Sequence, residues 1–257
     1  LALAVLTNSN VRISKIRNGR SSPGLQAQYL YNCLSIAEMF HYKIKGAELK
    51  SKEISLEKLE FENYELKENY LIDLTGAGSI GLVVQQFLPL LMLYNLENKS
   101  VSLDIIGGTL VNFSPSTFYL NSVLFPLFEK LYNSSITCEV QRHGLYPIGK
   151  GKIRLTINSS LQKFNSINIL KRGKLMKVLF RIIHTSNLDE EIKEIYASLN
   201  KDVKKLLKNN NYCLKSNNKN TEEDDSIDEN ENEFIEYENI LERINYNKGY
   251  TVAYEVI

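Results

Sequence analysis

Residues 11–25 read VRISKIRNGRSSPGL and set the pattern from which the fold is predicted. Apolar and polar residues alternate through residue 17, which predicts a β-strand. A loop follows, because its glycines reach positive φ and its proline fixes φ. Pro23 and Gly24 are expected to open a helix that ends at about Phe40. The stretch is therefore predicted to be a strand, a rigid loop and a helix.

A related order of elements returns later in the chain. Helix, strand, glycine-containing turn and strand are predicted over residues 24–56 and again over residues 115–157. Between them we expect a strand at residues 70–74, a helix launched by residues 76–79, and a strand at residues 101–106. Strands that alternate with helices predict an α/β fold, in which helices back the sheets, and the recurring order predicts a diverged repeat.

The character of the sequence changes at about Ile167. A strand at residues 177–183 and a lysine-rich amphipathic helix at residues 188–207 are expected, with a last strand at residues 250–257. Residues 208–232 are rich in Asn, Asp and Glu and have few side chains that can pack. They are predicted to form a disordered insertion or long loop, for which a charge-based tether is the functional alternative.

Composition narrows the class of protein. Of 257 residues 43% are hydrophobic, enough for a core. No apolar run reaches the roughly 18 residues of a membrane span. The three cysteines and three histidines are unclustered, so neither a zinc site nor a disulfide framework is predicted, and a reducing compartment is the simplest location. The first residues, LALAVL, resemble the tail of a helix without an initiating Met, so a truncated N-terminus is expected.

The net charge of +1 conceals a strong asymmetry. From Glu222 onward there are 12 acids and 2 bases, whereas the preceding residues carry 29 bases and 18 acids. This basic body favours polyanion partners, with lysine enrichment for solubility as the alternative.

Two loops concentrate positive charge on turn-forming backbone, at residues 17–25 and at residues 142–151, which read RHGLYPIGKG. A guanidinium can bind two oxygens of a phosphate at once, so Arg17 and Arg20 are candidate phosphate ligands. Each loop alone is more simply a surface turn, but two in one chain favour a phosphate-rich ligand.

Three further features are candidates for a ligand site. Residues 76–79 form an anion-binding site if their backbone N–H groups are free at the start of a helix. Gln85 and Gln86 lie in an otherwise apolar helix, so at least one is expected to face inward, and its partner is a nucleotide or a neighbouring group of the protein. The GGT at residues 107–109, shortly before Pro115, either admits a base or ribose to the backbone or forms a tight turn.

Four segments together resemble the signatures of the RNA 3'-terminal phosphate cyclases. They are IRNGRSSPGL at 16–25 with QYL at 28–30, GSIGLVVQ at 78–85, GGT at 107–109 with Pro115, and RHGLYP at 142–147. They follow the family's order and approximate spacing, and the resemblance spans nearly all of residues 1–207. The loops are closer to the catalytic branch of the family than to its cyclase-like branch.

The resemblance implies ATP-dependent RNA end chemistry. Family members convert an RNA 3'-phosphate into a 2',3'-cyclic phosphate through a histidine–AMP adduct and an RNA adenylate. It implies ATP and a divalent metal ion (Mg or Mn) as cofactors, and RNA with a 3'-phosphate end as partner. It further implies the nucleus as the main location, with the cytoplasm as the alternative. Neither an obligate protein partner nor a membrane is expected.

The resemblance also assigns roles to residues. Gln85 corresponds to a glutamine that contacts ATP, and Pro115 to a proline that lines the nucleotide site. Arg17 and Arg20 lie on the arginine loop that faces phosphate, with Gln28 as a further contact. No residue of this chain corresponds to a metal ligand.

The departures from the family pattern also matter. Tyr29 stands where the family usually has a histidine, and GKG at residues 149–151 replaces a triple glycine. The adenylated histidine is expected beyond Ile257, and His143 belongs to a different motif. The chain as given therefore contains no assigned catalytic residue and is not expected to complete the reaction alone.

For the fold, the resemblance implies repeated βαβαββ-type units that form a large domain at residues 1–166. A smaller α/β domain is expected to be inserted at residues 167–250, with residues 251–257 beginning the return to the large domain. The runner-up function is the non-catalytic cyclase-like branch, a nucleolar factor for ribosomal RNA processing, and a plain RNA-binding module is a third alternative.

Overall fold

The structure is a computed structural model that describes residues 1–60, 65–94, 100–158, 166, 168–171, 173–174, 177–185, 189–210, 212–216, 233–244 and 250–256. The chain divides into two compact units, Leu1–Ile167 and Asn168–Ile257. The sequence placed a boundary one residue earlier, between 166 and 167.

The first unit contains five helices and seven strands among its described residues. The helices are α1 (Ala2–Leu6), α2 (Ala27–Met39), α3 (Ile80–Leu93), α4 (Thr117–Tyr119) and α5 (Phe125–Tyr132), and a π-helical turn at Leu120–Leu124 joins α4 to α5. The strands are β1 (Val11–Ser14), β2 (Tyr42–Lys45), β3 (Glu53–Lys58), β4 (Asn69–Asp73), β5 (Ser100–Gly107), β6 (Ser135–Arg142) and β7 (Gly151–Asn158).

These strands form two sheets with related topology. One has the order β1-β3-β2 and is antiparallel throughout. The other has the order β4-β5-β7-β6, in which β4 and β5 are parallel and the remaining pairs are antiparallel. The series α1, β1, α2, β2, β3 thus has the same order and strand pairing as α3, β5, α4–α5, β6, β7. Mixed helices and sheets confirm the predicted α/β class, and both predicted helix-and-hairpin segments are present.

Helix α3 is the most deeply buried helix of this unit. It is apolar on nearly all sides, and Phe87, Leu88, Leu90 and Leu91 are inaccessible to solvent. Such a helix needs partners all round, and α3 contacts α1, β5 and β7. Among the residues that the structure describes, no helix combines the length and apolarity needed to cross a lipid bilayer.

The boundaries of the first loop differ from those predicted. β1 ends at Ser14 instead of Arg17, because Lys15 and Arg17 adopt φ of 56° and 52°, which breaks the extended backbone. α2 begins at Ala27 instead of Pro23. Gly24 adopts φ of 84° and its N–H donates to the carbonyl oxygen of Ile16 at 2.9 Å, so this residue closes the loop before the helix starts.

The second unit is a four-stranded sheet with one long helix. Its elements are β8 (Lys177–Thr185), α6 (Asp189–Asn209), β9 (Tyr212–Ser216), β10 (Glu233–Ile244) and β11 (Tyr250–Val256). The strand order is β11-β8-β10-β9, with β10 parallel to both neighbours and β11 antiparallel to β8.

Three features of this unit differ from the sequence-based expectations, and the first is β10, where no strand was predicted. Regular structure continues past Leu207, since α6 ends at Asn209 and β9 follows, so only residue 211 and residues 217–232 of the predicted disordered stretch lie outside the described residues. β11 pairs with β8 inside the second unit, whereas residues 251–257 were expected to begin a return to the first.

Candidate functional site

Three of the sequence motifs meet beyond the carboxyl ends of β4 and β5. The N–H of Gly108 donates to the carbonyl oxygen of Gly78 at 2.7 Å, and the N–H of Ile80 donates to that of Gly108 at 3.0 Å. The N–H of Thr109 donates to the carbonyl oxygen of Gly144 at 2.9 Å. Segments far apart in sequence are therefore joined directly through their backbones.

Thr109 is the central side chain of this junction. It is 1% exposed, and its Oγ1 accepts a hydrogen bond from the N–H of Gly144 at 2.9 Å. The same oxygen lies 3.4 Å from Nδ1 of His143, whose ring lies 5.8 Å from that of Phe118 at the start of the next helix. A buried hydroxyl thus fixes the loop that follows β6 against the loop that follows β5.

The glycines of these motifs make room for the protein itself. A Cβ at Gly107 would collide with the carbonyl oxygen of Gly78, and one at Gly149 would collide with that of Gly76. The sequence left open whether a base or ribose approaches the backbone at residues 107–109. In the structure, the carbonyl oxygen of Gly78 occupies the space beside Gly107.

At the anion-binding site predicted for residues 76–79, the N–H of Ser79 is already bonded by the protein. The N–H of Ser79 donates to Gln28 Oε1 at 3.1 Å, and that of Ile80 donates to Gly108. The N–H of Leu82 donates to Ser79 Oγ at 3.1 Å, the usual arrangement of an N-cap serine. The N–H groups of Ser79, Ile80 and Leu82 are thus bonded within the protein.

Gln28 of α2 links this first turn to the loop before α4. Through Ser79, whose Oγ contacts Ser114 Oγ, it is connected to the segment that carries Pro115. Its Nε2 is buried and has no hydrogen-bond acceptor among the described residues. Gln28 therefore keeps one unused donor at the position that the sequence assigned to a phosphate contact.

Pro115 and Gln85 lie along one face of α3. Gly81 packs so closely on Pro115 that a Cβ at Gly81 would collide with the Pro115 carbonyl oxygen. Gln85 follows Gly81 by four residues, which places it one turn further along the same face, and it is exposed to solvent. Both residues assigned to the nucleotide are thus on one side of the amino-terminal half of α3.

Gln86 is the inward-facing amide of the pair in α3. It is half-buried, and its Oε1 accepts a hydrogen bond from Asn32 Nδ2 of α2 at 3.0 Å. The expectation that one of the two glutamines faces inward is therefore met, and its partner is a second buried amide.

The arginine loop contacts the same helix α2. Arg17 Nε donates to the carbonyl oxygen of Ser22 at 3.3 Å, and its guanidinium lies 5.7 Å from the centre of the Tyr29 ring. Tyr29 directly follows Gln28, so Arg17 is held beside the start of α2. Arg20 closes a turn by donating its N–H to the carbonyl oxygen of Arg17 at 3.0 Å, and its side chain is exposed.

Metal ligands and reactive thiols do not mark this region. Among the described residues no group of three His, Cys, Asp or Glu side chains could hold a metal ion. Burial raises the pKa of the Cys33 thiol to about 11 and that of Cys138 to about 12. Because the thiolate is the nucleophilic form, neither cysteine is suited to attack a substrate at neutral pH.

An open cavity of about 330 Å³ lies elsewhere in the first unit, lined by Glu68, Asn69, Ser100 and Ser102. These residues are at the amino ends of β4 and β5, whereas the motifs follow the carboxyl ends. The motifs, rather than this cavity, define the candidate site.

Several residues of the site have roles in the structure that were not assigned to them from the sequence. Ser79 carried the usual signal of a serine directly before an apolar helix, and Asn32 is a polar residue one turn after Gln28 on the same face of α2. Thr109 had no local signal for its role, because its partners at 143 and 144 are 34 and 35 residues away.

Comparison with known proteins agrees with the motifs. A model of the RNA 3'-terminal phosphate cyclase family matches residues 1–235. The RNA 3'-terminal phosphate cyclase of Caldivirga maquilingensis is 36% identical over 193 residues, which cover 75% of this chain and 52% of that protein. The protein of the same name from Methylococcus capsulatus is 32% identical over 203 residues, which cover 77% of this chain and 54% of that protein.

A third relative, the RNA 3'-terminal phosphate cyclase of Methanosarcina barkeri, is 39% identical over 154 residues, which cover 60% of this chain and 44% of that protein. The chain spans about half the length of the curated relatives it matches. Since the family model covers most of its length and the motifs meet at one site, the chain belongs to the RNA 3'-terminal phosphate cyclase family.

Proposed function

We propose that the natural polypeptide containing this chain converts an RNA 3'-terminal phosphate into a 2',3'-cyclic phosphate at the expense of ATP. The observation that carries the proposal is the grouping of Gln28, Pro115 and Gln85 around the amino-terminal half of α3, in a chain that belongs to this family. The family resemblance implies contacts with ATP or RNA for all three residues.

The proposed reaction has three transfers. A histidine nitrogen attacks the α-phosphorus of ATP and pyrophosphate leaves. An oxygen of the RNA 3'-phosphate then attacks the same phosphorus and the histidine leaves. Finally the neighbouring 2'-OH loses its proton and attacks the terminal RNA phosphorus, and AMP leaves. Dividing the activation in this way replaces one difficult step with easier ones.

The residues of this chain bind and orient the two substrates. Gln85 is an exposed amide on the face of α3 that also holds Pro115, an arrangement suited to one edge of a nucleotide. Arg17 and Arg20 supply fixed positive charge for the RNA phosphate. Gln28 Nε2 is a buried donor for which a phosphate oxygen is a chemically matched acceptor.

The remaining parts of the proposal rest on the family alone. Mg or Mn is proposed as a second cofactor, but no group of three candidate ligands exists among the described residues, so no step is assigned to the ion. The nucleus is the proposed location.

The test uses the complete natural polypeptide with radiolabelled ATP and an oligoribonucleotide that ends in a 3'-phosphate. A protein–AMP adduct and a cyclic RNA terminus are expected. Gln85→Ala should raise KM for ATP about tenfold, since hydrogen bonds to ligands of this kind contribute on the order of 1.5 kcal/mol. Arg17→Ala should raise KM for the RNA instead, and an RNA with a 3'-hydroxyl end should inhibit poorly.

Arg12→Ala is the matched control, because Arg12 is an exposed arginine of β1 that pairs with Glu53 outside the loop. It should leave both KM values unchanged. RNA binding without an AMP adduct would favour the non-catalytic cyclase-like alternative. Binding that ignores both the 3'-phosphate and ATP would favour a plain RNA-binding module.

A further inference from the structure

Two aromatic side chains project into solvent from the loops that meet at the candidate site. Phe113 is fully exposed, and Tyr146 is 75% exposed. A fully exposed phenylalanine is unusual because its burial would stabilise the fold. Phe113 also has φ of 59°, a conformation that a residue with a bulky side chain rarely adopts.

The two loops that contain these aromatic residues are joined to each other by contacts close to Phe113 and Tyr146 in sequence. Leu110 and Leu145 are buried and form a bridge between the two loops. The segment with Phe113 is tied to the second loop at both ends, through Leu110 on one side and through the contact of Phe118 with His143 on the other. Phe113 and Tyr146 therefore lie on two loops that are joined to each other.

The surroundings of these aromatic residues are basic. Arg142 and Lys150 flank Tyr146 in its loop, and both are exposed. Arg142 Nε donates to the carbonyl oxygen of Lys150 at 2.5 Å, which closes the loop at its base. Residues 107–118 and 142–152 contain neither Asp nor Glu. Aromatic faces interleaved with cations, with no acid between them, suit single-stranded nucleic acid, whose bases stack while its phosphates seek positive charge.

We propose that Phe113 and Tyr146, with Arg142 and Lys150, form a stacking surface for the unpaired RNA nucleotides that precede the 3'-phosphate. The inference rests on the proposed function for its choice of RNA, and it adds a contact for bases upstream of the reacting end. Because every base presents a π-face, the surface binds the strand with little regard for sequence. RNA longer than the terminal nucleotide is then bound more tightly than the end alone.

The test uses fluorescence anisotropy, without ATP, to measure the Kd of the complete polypeptide for RNA. The RNA is a labelled single strand of about 10 nucleotides that ends in a 3'-phosphate. Phe113→Ala and Tyr146→Ala should each weaken binding about tenfold, the usual effect of removing one base stack. Phe113→Trp and Tyr146→Phe should retain most of the affinity, because they keep a ring. Leu71→Ala is the control, since Leu71 is also an exposed apolar residue but lies in β4.

Replacing the upstream bases with abasic residues identifies the contact. Abasic RNA should bind the native protein about tenfold more weakly, and Phe113→Ala should add little further loss. Phe113 is fully exposed, so its removal should leave the thermal unfolding midpoint unchanged. An unchanged Kd for both alanine variants, equal losses on abasic and intact RNA, or a raised KM for ATP in place of the RNA effect would overturn the inference.

Failure of this surface is distinguishable from failure of the proposed activity. A native protein that forms the cyclic end while both alanine variants bind RNA normally refutes only the stacking surface. A native protein that shows the stacking effects and forms no AMP adduct refutes only the cyclase activity.

Discussion

Gln85 and Gln86 are adjacent in α3, yet their surroundings differ. Gln85 is proposed to bind a ligand, whereas Gln86 contributes to the stability of the fold. Gln85 is exposed on the face that holds Pro115, whereas Gln86 is half-buried and accepts a hydrogen bond from Asn32. Successive helical residues point about 100° apart, so two identical side chains meet different neighbours. The pair offers a comparison in which side-chain chemistry and helix propensity are equal.

We expect Gln86→Ala to lower the free energy of unfolding by about 1–2 kcal/mol, because it leaves a buried donor of Asn32 without an acceptor. Gln85→Ala should change it by less than about 0.5 kcal/mol, as is usual for exposed residues. Urea denaturation of the two variants beside the native protein measures both values. Equal losses from the two substitutions would contradict the separation.

The sequence predicted that an amide of this pair faces inward but not which residue it meets. Asn32 is 54 residues away on α2, and its approach to α3 follows from helix packing that no local pattern encodes. The same holds for Ser79, whose N–H was expected to be free and is bound by Gln28. The sequence indicated which polar residues need hydrogen-bond partners, but it did not indicate which residues those partners are.

At the level of elements, the strands of the first unit were well predicted, whereas loop boundaries and the strands β9 and β10 of the second unit were not. The sequence pattern located β4 and β5 to within one residue at each end. The end of β1 was placed three residues too late, because Lys15 and Arg17 take positive φ. Strict alternation already ends at the adjacent polar residues Ser14 and Lys15, so the break in periodicity coincides with the point where the backbone turns.

The loop after β6 gives a test of this backbone argument. Gly149 has φ of 69°, and a Cβ there would collide with the Gly76 carbonyl oxygen, so we expect Gly149→Ala to cost more than about 1 kcal/mol in unfolding free energy. Gly19→Ala is the matched control, because a Cβ at Gly19 would meet nothing within 4 Å. Thermal unfolding of both variants measures the difference. A well-tolerated Gly149→Ala would show that this loop is not held against residues 76–77.

At the level of the whole molecule, the repeated order of elements was predictable and the pairing of the last strand was not. Helix and hairpin recur because each sheet needs a helix to cover one apolar face. The first series, from α1 to β3, reproduces the pairing of the second series, from α3 to β7, without the parallel partner that β4 supplies to β5. β11 was assigned to the first unit by resemblance alone, and its antiparallel pairing with β8 is a long-range contact that its alternating sequence does not specify.

The division into two units predicts that a protease cuts near their boundary before it cuts within a paired strand. The second unit starts at Asn168, and Leu170 lies just beyond it, 87% exposed and outside any helix or strand. Leu71 is 65% exposed, but β4 holds its backbone in the pairing with β5. Because a protease must draw an extended backbone into its active site, exposure without backbone pairing favours cleavage. Dilute chymotrypsin should therefore cleave after Leu170 well before Leu71, as read by mass spectrometry of the fragments. Leu170→Ser should delay the cut, and early cleavage at Leu71 would show that β4 opens more readily than the junction between the units.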